Sequence, residues 1–101
     1  MGYAVKLQGG SQNIPMNKFY DAQFAKSTRT MEIDLHKKYI IANSFLAANY
    51  HYGSIYFIDK GVLTQIWMNG GYDKASLSGT TLSLQSTHPS ASSRFYVFEI
   101  G

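Results

Sequence analysis

At 101 residues, with 45% hydrophobic, 15% charged and 15% aromatic side chains, the chain has the composition of a single folded domain, residues 1–101, and not of a disordered segment. The absence of cysteine excludes disulfides, thiolate metal sites and a cysteine nucleophile. A net charge of +3 with only Lys37 and Lys38 adjacent does not mark a nucleic-acid surface, and no apolar run approaches the ~18 residues of a membrane span.

The N-terminal Met1-Gly2-Tyr3 does not open a charged-then-apolar leader, so no signal peptide is expected. Period-two alternation, which puts one side of a strand in a core and the other in water, then recurs along the chain. Tyr3, Val5 and Leu7 alternate with Ala4, Lys6 and Gln8 and predict a first strand. From Met16 to Ala25, the apolar residues Phe19, Tyr20, Ala22, Phe24 and Ala25 fit an irregular strand or, less well, a short helical turn. The segment Thr30–His36 predicts a half-buried strand with Met31, Ile33 and Leu35 inward and Thr30, Glu32, Asp34 and His36 outward.

Tyr39–Asn49, Ser54–Asp59, Val62–Asn69 and Phe95–Ile100 carry apolar residues on both faces, as strands do when a second sheet or subunit covers them. Leu82 and Leu84 alternate with Thr81, Ser83 and Gln85, and the polar, Pro89-containing run Thr87–Ser93 predicts a loop. Punctuation of the hairpin type falls at Lys37-Lys38, Lys60-Gly61, Asn69-Gly70-Gly71 and Ser78-Gly79. Together these features predict an all-β fold, an antiparallel β-sandwich of jelly-roll type with about seven or eight short strands.

Residues for chemistry are sparse. His36, His51 and His88 sit in separate segments without ligand spacing, so no metal site and no cofactor is expected. Glu32 and Asp34 lie two apart on one strand face, roughly 6 to 7 Å from the ~3.3 Å rise per residue, a spacing that a solvated outer face already explains. The chain has no nucleophile elbow, no Walker loop and no dinucleotide fingerprint, and no enzymatic activity or catalytic residue is expected. Counting strand reversals brings the loops near 49–53, 69–73 and 87–90 to one end. That end gathers rings, amides and a carboxylate: Asn49, Tyr50, His51, Tyr52, Asn69, Tyr72 and Asp73 are the candidate ligand-binding set. Sugar C–H faces stack on rings while hydroxyls take directional hydrogen bonds, so the set suits a saccharide. Trp67, between Ile66 and Met68 in a two-faced strand, is expected in the core.

The run Gly53–Val62, the hairpin Ala75–Leu84 with its Ser-Gly-Thr-Thr-Leu turn, and the closing Phe95–Gly101 resemble the C-terminal receptor-binding head domains of bacteriophage tail fibres, over roughly residues 31 to 101. The resemblance implies a homotrimer that touches a host cell-surface glycan or protein receptor with distal loops. It also implies a place on a virion or outside the cell after assembly in the host cytoplasm, without nucleic-acid binding or membrane insertion. Two other readings stand beside it: a structural or assembly component of a phage particle, and a monomeric carbohydrate-binding module.

Overall fold

The computed structural model describes residues 2–6, 13–47, 50–89 and 91–100. Nine strands follow in chain order: β1 (Gly2–Lys6), β2 (Asn13–Phe24), β3 (Ser27–Glu32), β4 (Lys38–Ala47), β5 (Tyr50–Asp59), β6 (Val62–Asn69), β7 (Asp73–Ser78), β8 (Thr81–Ser86) and β9 (Ser93–Ile100). Eight form an antiparallel β-sandwich, β2-β9-β4-β5-β6 against β3-β8-β7, and β1 adds a sixth strand at the β2 edge of the larger sheet.

Alternation decides which residues meet between the layers. On β4 the odd positions Tyr39, Ile41, Asn43 and Phe45 are all buried; on β5 Ser54, Tyr56 and Ile58 are, and on β9 Ser93, Phe95 and Val97. The small sheet answers with Ala75, Leu82 and Leu84, and Phe24 stacks on Phe95 with ring centroids 5.1 Å apart. Two tight hairpin turns lie wholly within the described residues. Lys60 and Gly61 both have positive φ (53° and 75°), as a two-residue hairpin turn with twisted flanking strands requires, and Gly79 (φ 60°) opens the other.

Several sequence expectations change here. The stretch 16–24 is strand, the later part of β2, with Ala25 just past its end, and a register shift at Phe19 accompanies the approach of its ring to Tyr39 (5.5 Å). The strand expected through His36 ends at Glu32, because the chain must leave the small sheet for the large one. Ile33 still enters the core, but Asp34 accepts the His36 amide at 2.9 Å in a turn, and Leu35 is exposed. Lys37-Lys38 and Asn69-Gly70-Gly71 are therefore crossings between sheets and not hairpins between neighbours. The carboxylate pair is also committed: Glu32 accepts the Thr80 and Thr81 hydroxyls, both at 2.6 Å, which hold its carboxyl below the usual range.

At the far end from the candidate loops, the fully buried Tyr39 ring sends its hydroxyl to Glu99 (2.9 Å), which also pairs with Lys37 (3.0 Å). A buried phenol with both a donor and an acceptor partner closes that end of the core without an orphaned polar atom.

Candidate functional site

The Ala47 end of β4 and the Tyr50 end of β5, the loop 70–72 and residues 87–89 and 91–92 lie at one end of the sandwich, together with the 25–26 crossing from β2 to β3. A cluster of rings caps the core there. Phe45 stacks on Tyr52 at 5.0 Å and meets His88 edge-on at 5.2 Å, while Tyr72 stands edge-on to both Tyr52 (5.6 Å) and His88 (4.5 Å). Tyr50 joins through Tyr52 at 6.4 Å. Edge-to-face geometry of this kind contributes about 0.5–1.5 kcal/mol per pair beyond the area buried, so the rings hold one another in place.

Exposure separates the supports from the presenting surface. Phe45 and His88 are buried, Tyr52 is half-buried, and Tyr72 (37% exposed) and Tyr50 (66% exposed) form the rim. Gly70 makes the arrangement possible. Its φ of 111° suits glycine, and a Cβ there would collide with Tyr52 Cδ1, so the loop backbone lies directly against that ring. Thr87 ties the β8–β9 loop to the same corner, its amide reaching the Tyr72 carbonyl at 3.1 Å, and His88 Nδ1 accepts the Ala91 amide at 3.0 Å.

Beneath the rings runs a buried polar chain that joins the two sheets. Ser54 donates to Asn43, Asn43 donates to Asp73 Oδ2, Ser93 donates to the same oxygen, and Ser86 donates to Ser93. Asp73 Oδ1 is buried without a donor, and burial pushes the carboxyl above its usual range against the pull of Ser93, Ser86, His88 and Asn43. The serine hydroxyls here are spent inside this chain, at 1% exposure or less.

The expected set thus divides. Tyr50, Tyr52 and Tyr72 are brought together. Asp73 turns inward as a structural acceptor and not toward a ligand. His51 and Asn69 fall on the opposite face of the large sheet, because they alternate with Tyr50 and Tyr52 on β5 and with Met68 on β6; the Asn69 amide donates to the His51 carbonyl at 2.7 Å. Asn49 lies outside the described residues. Trp67 corrects the expectation of a core residue: it pairs with Ile55 on the outer face, lies across Gly53 and is 50% exposed. Two members were missed. Phe45 carried a signal in sharing parity with Tyr39 and Ile41, and His88 sat in a loop already assigned to this end.

A shallow depression of about 240 Å³, lined by Lys26, Ser27, Thr28, Gln85, Ser86 and Thr87, opens at the same end on the small-sheet side. It is smaller than the ~300–1,000 Å³ that enclose small-molecule ligands, is lined by none of the clustered rings, and offers an amine, an amide and hydroxyls. No group of three or more His, Asp or Glu residues suited to a metal occurs among the described residues, and no helix there is long and apolar enough to cross a membrane. Compared with known protein families, curated proteins and solved structures, the chain matches none of them.

Proposed function

We propose that the protein is a binding module that recognises a cell-surface saccharide through the aromatic end of the sandwich. The observation that carries this reading is the exposure gradient across the ring cluster: Tyr50 and Tyr72 are its exposed members, while Phe45, Tyr52 and His88 pack behind them. Rings held rigid before binding lose little entropy when a ligand arrives, which favours weak, extended ligands such as glycans. Lys26, Thr28, Gln85 and Thr87, in the depression at the same end of the molecule, offer directional partners for the hydroxyls of an extended saccharide. In this reading the module serves as the receptor-binding head of a phage-like particle, the setting that the resemblance of residues 31 to 101 suggests.

Binding of the protein to an array of bacterial surface glycans tests the proposal. Tyr50→Ala is expected to lower the signal at least tenfold while the unfolding midpoint stays within a degree or two, because the ring is mostly in water. Equal binding by the variant, or binding to a protein receptor alone, contradicts the saccharide reading.

A further inference from the structure

The outer face of the large sheet, opposite the small sheet, has no covering layer among the described residues. By register, Tyr96, Ala42, Ile55 and Trp67 make one row across β9, β4, β5 and β6, and Phe98, Ile40 and Phe57 make the next. Leu46, Trp67, Ile55 and Val62 stand at 59%, 50%, 39% and 62% exposure on this face, with Ile66 at 60% in the irregular part of β6. Charges stand at its margins: along one, Asp21 forms two bonds with Arg94 (2.9 and 3.0 Å) and one with Lys18 (3.3 Å), with both cations over the Tyr96 ring, and at another Lys38 and Asp59 share the terminal row with Ile100 and Val62.

The edge strand tells the same story. Natural edge strands are guarded by charge or proline against pairing. Among the other described edges β1 carries Lys6, β3 carries Arg29 and Glu32, and β7 carries Lys74; β6, Val62–Asn69, has neither a charge nor a proline.

We infer that this face is the contact between two copies of the chain, packed sheet against sheet about a two-fold axis. The five exposed side chains offer on the order of 500 Å², and with the half-buried Tyr96, Phe98, Phe57 and Ile40 about 700 Å², above the ~300–600 Å² of the largest patch on a typical monomer. That is close to the ~800 Å² each partner contributes to a stable interface of standard size. An apolar centre with a polar rim at Lys18, Asp21 and Arg94 is the usual anatomy of such a contact. The exposed aliphatic side chains fit a protein partner, since sugars stack on rings and not on Leu, Ile and Val. One patch can meet its own copy about a two-fold, whereas a three-fold ring requires two different surfaces meeting head to tail, so this pairing departs from the homotrimer that the resemblance implies. The pairing leaves the Tyr50 and Tyr72 rim outside the contact and stands independently of what that rim binds.

Light scattering of the purified chain at micromolar concentration gives its absolute mass. Twice the chain mass of 11.3 kDa is expected, with Trp67→Lys and Leu46→Lys each returning it to the single-chain value while circular dichroism keeps the strand signature. Leu46→Lys guards against misfolding, since that side chain is mostly in water. Tyr50→Ala is expected to leave the mass doubled whatever it does to glycan binding, so the two readings fail separately. A single-chain mass for the wild type, a mass of three chains, or a doubled mass in both lysine variants overturns the inference.

Discussion

Among the described residues, the Asp73 carboxylate is buried with one oxygen satisfied and the other not. Its folded pKa lies above the ordinary value of 3.8, so the stability tied to its protonated form is fully present below that value and is lost as pH rises through the folded pKa. The wild type should therefore gain stability relative to Asp73→Asn as pH falls from 7 toward 4. Asp21 and Glu32, whose carboxyls are held low by Arg94 and by Thr80 and Thr81, shift the curve in the other direction, but they act in both proteins and cancel in the difference. Urea unfolding of the pair at several pH values checks this, and a difference that does not change with pH contradicts it. Asp73→Ala leaves the Asn43 amide and the Ser93 hydroxyl without their acceptor and should cost about 2–3 kcal/mol at neutral pH. Nothing in the sequence marked this residue as internal: an Asp after a Gly-Gly-Tyr loop reads as surface, and only the arrival of Asn43, Ser86 and Ser93 from three other strands makes its burial tolerable.

At the scale of elements, alternation was a sound guide wherever a strand stayed in one sheet. Leu82 and Leu84 and the odd positions of β4 follow the pattern directly. It misled where the chain changes sheet, since periodicity carries no information about which layer a strand joins: Thr30–His36 alternates through to His36, yet the crossing to β4 begins at Ile33. Trp67 shows a second limit. Strand parity gives two faces but does not say which is covered, and the register shift in β6 reverses the parity between Gln65 and Trp67. The candidate site was legible in its loops and only partly in its residues, because neighbours on β5 such as Tyr50 and His51 point to opposite faces. Gly70 is where loop and strand depend on each other. Gly70→Ala strains a positive φ and drives a methyl into the Tyr52 ring, so it should lower stability by about 1–3 kcal/mol and weaken ligand binding as the Tyr52–Tyr72 packing shifts. Unchanged stability on chemical unfolding contradicts that account of the loop.

For the whole molecule, a three-stranded sheet too narrow to cover more than one face of its larger partner explains both surfaces described above. On its inner side the large sheet finds the small one and the ring cluster; on its outer side it keeps Leu46, Ile55, Val62 and Trp67 in reach of another surface. The core itself is continuous across the layers through Ile41, Ile58, Leu84, Phe95 and Val97, and Phe95→Ala should destabilise by about 3–5 kcal/mol, measured by urea unfolding. The proposed binding end sits on a two-layer scaffold, which accords with recognition by rings packed before the ligand arrives. The most direct test of that claim is glycan binding by the wild type beside Tyr50→Ala and Tyr72→Ala. The account predicts saturable binding by the wild type and a loss of tenfold or more in both variants with the fold retained; saturable binding that survives both substitutions would place the ligand elsewhere on the molecule.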